Sequence, residues 1–173
     1  MTPSVQRPAF GGLEPTIDSP RLLTQIVCNH RAVIRHFIRL WHSTHPAPAG
    51  WKVSFMAVYK GDVVGVSIWG RPVARLEDQV STLEHIRMAL APYAPRNTAS
   101  WFIAQNRKWI RDNMPHVKRI ISYIDESNHT GITYRADNWK TIYSGKKNDS
   151  NWKSREGRVC KGASFRSKFE RTP

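Results

Sequence analysis

Residues 119–124 form an apolar, isoleucine-rich run that breaks into Asp125-Glu126-Ser127-Asn128-His129-Thr130-Gly131. The sequence then resumes with Ile132, Ala136 and Trp139 at i, i+4 and i+7, the spacing of one helix face. A strand, a polar loop and a helix in that order constrain the chain to an α/β arrangement. Open α/β sheets place their chemistry where a strand delivers such polar side chains to its C-terminal mouth. The same residues would also suit a plain strand-to-helix loop that caps the next helix.

The other elements follow from the same rules. Residues 1–20 are rich in Pro and Gly without periodicity and read as a flexible arm. Residues 22–28 read as a short strand. Asn29 is placed to cap a helix to about residue 43, with Val33, Ile34, Phe37, Ile38 and Trp41 on its apolar face. Pro46 and Pro48 break that helix. Residues 53–59 and 63–69 flank Lys60-Gly61-Asp62 as a hairpin. Residues 81–90 read as a third strand. A helix to about residue 114 follows Pro95, with Ala99, Phe102, Ile103, Trp109 and Ile110 inward and Pro115 as its stop. A last short strand falls at 141–143. The folded domain is expected over 21–144, with 145–173 as a basic extension.

Charge indicates the partner. The 173 residues carry a formal net charge of +14, more than solubility requires, and such an excess favours polyanions. Residues 140–173 hold ten basic and three acidic side chains, a net of +7, interleaved with Trp152, Phe165 and Phe169. That composition suits a nucleic-acid clamp, with a disordered solubilising tail as the lesser alternative. No stretch approaches 18 apolar residues and no secretory signal pattern opens the chain, so no membrane partner is expected. Cys28 and Cys160 lack CxxC spacing and read as reduced cytosolic thiols.

Several ordered motifs resemble the phage Mom family over residues 22–143. They are Trp41-His42-Ser43-x-His45-x-x-Pro48-x-Gly50, Gly70-Arg71-Pro72, Pro95-Arg96-Asn97 and Ser122-Tyr123-x-Asp125. The last of them is His129-Thr130-Gly131-x-x-Tyr134-x-Ala136-x-Asn138-Trp139. The resemblance implies a GNAT-like N-acetyltransferase fold, a mixed central sheet flanked by helices. It also implies an enzyme that converts adenine in phage DNA to an N6-carbamoylmethyl type, shielding the DNA from restriction in the cytoplasm of the infected bacterium. An iron requirement is implied too.

In GNAT enzymes a glycine-paired turn grips the donor's pyrophosphate, because backbone N–H groups must approach it closely. Arg96-Asn97-Thr98-Ala99-Ser100 stands at that place without either glycine. Arg96, Asn97, Thr98 and Ser100 are the cofactor-binding candidates. Weak acetyl-coenzyme A binding is expected, and the small acyl-type donor is left open.

Asp125 is the leading catalytic candidate, as a carboxylate that accepts an adenine N6 proton. Tyr134, off the Ile132/Ala136/Trp139 face, reads as an exposed hydroxyl where GNAT enzymes often place a general acid. Glu84 and His85 should point to opposite faces of their strand, with Glu84 toward the cleft. Ser122 completes the catalytic set. The implied iron would suit His42, His45 and Asp125, although two helix-ending histidines also satisfy terminal carbonyls. Arg71, Lys140, Lys146, Lys147, Lys153 and Arg155 are the expected DNA contacts. The partner is then double-stranded DNA with its adenine extruded, and a dimer is compatible with it. The rival readings are an acetyl-coenzyme A-dependent N-acetyltransferase and an inert DNA-binding protein.

Overall fold

Alternation of apolar side chains builds a seven-stranded sheet in the computed structural model, which describes residues 18–42, 45–146 and 165–173. After a short 3-10 turn (Pro20–Leu22) come β1 (Thr24–Val27), α1 (Arg31–Trp41), β2 (Val53–Tyr59), β3 (Asp62–Gly70) and β4 (Thr82–Leu90). Then follow α2 (Thr98–Asn113), β5 (Arg119–Asp125), α3 (Ile132–Ala136), β6 (Lys140–Lys146) and β7 (Phe165–Arg171). The strand order is β1-β2-β3-β4-β5-β7-β6. Only β4 and β5 run parallel; the other neighbours are antiparallel. Lys60 (φ 48°) and Gly61 (φ 94°) make the β2–β3 turn, left-handed positions that match the twist of a tight hairpin.

Successive strand residues face opposite sides, and both sides are covered. On one side α2 lays Phe102, Ile103 and Ile110 over Phe55, Trp69, Leu83, Ile120 and Phe169. On the other side α1 packs Ile34, Phe37 and Ile38 against Val66, Ile68 and Ala89. Each buried side chain of this size contributes roughly 1.5–3 kcal/mol. A centrally placed strand such as β4 therefore buries consecutive residues, not alternate ones.

Two local expectations shift. Helix α1 starts after His30, which makes no side-chain cap bond, and it stops at Trp41. Val33 lies off its buried face and is exposed. The larger correction is at the C-terminal end. Residues 165–171 are not part of a separate tail, because β7 inserts between β5 and β6 and buries Phe169 completely. Residues 147–164, with Lys147, Trp152, Lys153 and Arg155, lie outside the described residues, as does most of the expected N-terminal arm. Among the described residues no helix is long and apolar enough to cross a membrane.

Candidate active site

The parallel pair β4–β5 is joined only from Thr82↔Arg119 to His85↔Ser122. Beyond that point β4 continues along β3 to Leu90 and β5 continues along β7 to Asp125. The two strands part there, and His85 and Ser122 stand at the apex. Into that apex α3 delivers Tyr134, whose hydroxyl lies 2.8 Å from His85 Nδ1 and 2.7 Å from Ser122 Oγ. All three side chains are buried.

The placement of Tyr134 corrects the helix-face expectation. Helix α3 spans five residues, and its buried residue is Tyr134, whereas Ile132 and Ala136 are exposed. Gly131 starts the helix at φ +71°, and a Cβ there would lie 2.6 Å from Phe169 Cζ. Phe169 in turn stacks on the Tyr134 ring at 5.1 Å between centroids. Asp137 fixes the other end of the helix. Its carboxylate takes both Arg107 Nε (3.0 Å) and Nη2 (3.1 Å), and Trp139 Nε1 at 3.0 Å. Losing one partner of so buried a pair typically costs about 3–5 kcal/mol, so the ion pair locks α3 onto α2.

Proton positions in the network follow from donor and acceptor capacity. Trp69 Nε1, which can only donate, lies 3.3 Å from one end of the Asn106 amide. The Phe102 carbonyl, which can only accept, lies 3.2 Å from the other end. The amide oxygen of Asn106 therefore faces Trp69 and accepts from Ser67 Oγ at 2.8 Å. With its one proton so used, Ser67 accepts from Trp69 Nε1 (2.9 Å) and from His85 Nε2 (3.1 Å). Neutral imidazole has one N–H, so His85 Nδ1 is the acceptor and Tyr134 donates to it. Ser122 then donates to the phenol oxygen, with the His85 carbonyl 3.1 Å away as a shared acceptor. Burial lowers the His85 pKa to about 3, against a backbone bond at Arg87 that raises it. Burial pushes Tyr134 up to about 12, with the Ser122 bond opposing and Glu84 adding to it. The histidine is neutral and the phenol protonated at physiological pH.

Glu84 belongs to the other face of β4, as expected, but His85 is buried as well. The Glu84 carboxylate accepts the Val73 N–H at 2.8 Å. Burial holds its pKa above the usual carboxylate range, more than the Val73 bond and Arg87 offset. Tyr123 sits on the same face and donates to Glu77 at 3.3 Å. Glu77 also pairs with Arg119 and Lys168. A buried carboxyl with a raised pKa suits proton transfer.

Asp125 ends β5 at the rim. Its carboxylate takes the backbone N–H and the hydroxyl of Ser127, an Asx-type turn. Those bonds, the Ser127 hydroxyl first, lower its pKa. His42 follows the last residue of α1, and its Nδ1 accepts the His45 N–H at 3.2 Å. Burial and the nearby Arg87, His45 and His129 lower its pKa to about 4. His42, His45 and Asp125 do not converge, and among the described residues no three His, Cys, Asp or Glu side chains are placed to hold a metal. The expected iron thus finds no ligand set among them.

The remaining candidates lie at the margins. Asn97 caps α2 in a left-handed conformation, φ 65°. Thr98 is buried and donates to the Pro95 carbonyl at 2.7 Å, while Ser100 donates to the Asn97 carbonyl at 3.0 Å. Arg96 is exposed beside them. Arg71 is exposed in the β3–β4 loop, and Lys140 begins the edge strand β6, which Lys146 ends. Ser67 and Asn106 were not singled out by sequence, and His85 was read only as the residue facing away from Glu84. Polar residues inside otherwise buried strand and helix positions were the available signal.

Known proteins share this architecture. The Mom protein family matches residues 22–172. Among curated proteins none matches. The ribosomal-protein-S18-alanine N-acetyltransferase of Escherichia coli superposes with a TM-score of 0.61 at 10% identity, covering 87% of this chain and 93% of that one. Spermidine/spermine N-acetyltransferase SpeG from Vibrio cholerae gives 0.60 at 8% identity, with 88% and 94% covered. YncA from Salmonella typhimurium, solved with its cofactor acetyl-CoA, gives 0.59 at 10% identity, with 87% and 94% covered. The mixed sheet and its helices are those of the GNAT N-acyltransferase fold.

Proposed function

The chain belongs to the Mom protein family, and we propose that it is a transferase modifying adenine N6 in double-stranded DNA. The observation that carries this reading is the buried Tyr134–His85–Ser122 cluster at the parting of β4 and β5. Packing alone would fill such an apex with apolar side chains, since each buried polar group needs a partner.

In the proposed reaction the amine nitrogen forms a bond to the donor carbon, loses one proton, and the donor's leaving group departs. Glu84 suits the proton-accepting role, because burial raises its pKa above the ordinary carboxylate value. Tyr134 suits protonation of the leaving group, because its phenol holds its proton at physiological pH. Ser122 would then donate to the phenolate, and His85 fixes the ring in place. Asp125, at the rim, would orient the amine by accepting its second hydrogen. Adenine N6 is paired in duplex DNA, so the base must leave the stack to reach this cleft. The basic residues Arg71, Lys140, Lys146, Lys147, Lys153 and Arg155 would hold phosphates. The setting would be the cytoplasm of an infected bacterium, where such a base would block restriction.

The test is expression of the chain followed by digestion of host DNA to nucleosides and mass spectrometry. An N6-substituted deoxyadenosine is expected. DNA binding with no modified nucleoside would support the inert-binder reading instead.

One observation favours an acetyl-coenzyme A-dependent N-acetyltransferase. Asn97 adopts the left-handed conformation that glycine usually supplies, so the turn before α2 forms without its glycines. Calorimetry with acetyl-coenzyme A separates the readings. A micromolar or tighter constant would support this one.

A further inference from the structure

The three most exposed large hydrophobic side chains among the described residues share one loop. Leu76 is 101% exposed, Val73 77% and Val80 74%, all between β3 and β4. Single exposed apolar residues need no explanation, but three clustered in one short loop do.

The loop is held at its base. Val73 N–H bonds the buried Glu84 carboxylate. Glu77 pairs with Arg119 and Lys168. Gln79 donates to the Ala74 and Glu77 carbonyls, each at 3.1 Å. The Asp78 carboxylate accepts from Val80 N at 2.8 Å and Ser81 N at 3.2 Å. Those bonds engage the carboxylates and the amide of the loop, Glu77 and Gln79 half-buried and Asp78 at the surface, and leave the apolar side chains without a partner in the fold. Arg71 and Arg75 are exposed and, among the described residues, form no hydrogen bond or ion pair.

We infer that the β3–β4 loop is a wedge for duplex DNA, with Leu76 entering the base stack and Arg71 and Arg75 on the flanking phosphates. Apolar wedges between base steps, held by basic neighbours, are how proteins separate stacked bases. Charge selects the occupant. Of the loop's two carboxylates, Glu77 is neutralised by Arg119 and Lys168 and Asp78 is bonded to the Val80 and Ser81 N–H groups. Arg71 and Arg75, without partners among the described residues and on a chain of net charge +14, therefore complement a polyanion and disfavour a second copy. Position agrees with this, because the Val73 N–H of the loop holds the carboxylate of Glu84, the residue to which the proposed function gives the amine's proton. The inference rests on the proposed DNA function and adds the element that opens the duplex.

The experiment uses the full chain and duplexes of about 30 base pairs, long enough for several phosphate contacts, with 2-aminopurine at several adenine positions. Wild-type protein is expected to raise the fluorescence on binding, as unstacked 2-aminopurine does. Leu76→Ser should abolish the rise and weaken binding roughly tenfold on intact duplex, but much less on a duplex with an abasic site, where unstacking is already done. Leu76→Met should restore the rise. Arg75→Ala should reduce the salt slope by about one. Leu76 packs against nothing, so these variants should melt with the wild type. A wild-type rise with Leu76→Ser would overturn the wedge, as would loss of a dimer in light scattering with the DNA response unchanged. If the wild type modifies DNA and only the wedge test fails, the proposed function stands. If wild type neither binds nor modifies DNA, both fall.

Discussion

The Tyr134 hydroxyl donates to Nδ1 of His85 across 2.8 Å, and the bond ties a five-residue helix to a central strand. It joins residues 49 positions apart, and both partners are buried away from solvent. The phenol is thus a structural group as well as the one proposed to protonate the leaving group.

Tyr134→Phe should therefore reduce both modification and stability. It leaves His85 Nδ1 and Ser122 short of a partner, at a cost of about 1–3 kcal/mol. Thermal melts beside modified adenine per genome test this. A melting temperature equal to wild type would mean that the network does not form.

Stability should fall as the pH drops. The folded pKa of His85, about 3, lies below its ordinary value of 6.5. The unfolded chain binds the proton first, so the stability is present above 6.5 and is lost as pH falls toward 3. The slope is at most about 1.4 kcal/mol per pH unit from this group. Denaturant titrations across the range from neutral to acid should show it, and His85→Gln should flatten it.

Glu84→Gln keeps an oxygen for the Val73 N–H and removes the base. We expect near-native stability with ~100-fold slower modification, the scale of a lost general base. In the wild type the rate should rise with pH through the raised Glu84 pKa. An active Glu84→Gln would remove Glu84 from the chemistry.

Asp125→Asn can keep the Ser127 turn, because an amide oxygen accepts the same N–H. A loss of ~100-fold in rate with an unchanged melt would support a role at the amine. Full modification by this variant would leave Asp125 as a turn residue alone.

Phe169→Ala should cost about 3–5 kcal/mol, as for other fully buried aromatics. Deleting residues 145–173 should unfold the domain, where a detachable tail would have left it intact. Replacing Lys147, Lys153 and Arg155 by Ser should instead flatten the salt slope of DNA binding, by about 0.9 for each phosphate no longer neutralised. An unchanged slope would show that these three do not touch DNA.

Most of the sheet was readable because its signals are local. The Lys60-Gly61 turn, the strands around it, α2 and β5 all follow from turn chemistry and apolar runs. Three features were not readable. The i, i+4, i+7 reading of Ile132, Ala136 and Trp139 assumed a helix that continues, but α3 ends at Ala136, so Trp139 belongs to the next turn and Tyr134 takes the inward place. Alternation allowed one of Glu84 and His85 to be buried, yet β4 is covered on both faces. Strand β7, Phe-Arg-Ser-Lys-Phe-Glu-Arg, has the charge content of a tail. It is a strand because Lys168 and Arg171 find carboxylates and Phe169 finds the core. Those pairings are long-range, and no local pattern encodes them. The polar end of β5 was legible in the sequence, whereas His85 was read only as the residue facing away from Glu84.

The place of β7 between β5 and β6 has a consequence in time. Chains emerge from the ribosome N-terminus first, so β6 is made before β7, the strand it pairs with among the described residues. When residue 146 has emerged, Tyr134 still lacks Phe169 against its ring, and Asp137 lacks Arg171. The ring that stacks on Tyr134 comes from a strand made after all the others described. A nascent chain can thus fold its first five strands early, while the apex around Tyr134 closes only once residues 165–171 are free to slide into the gap.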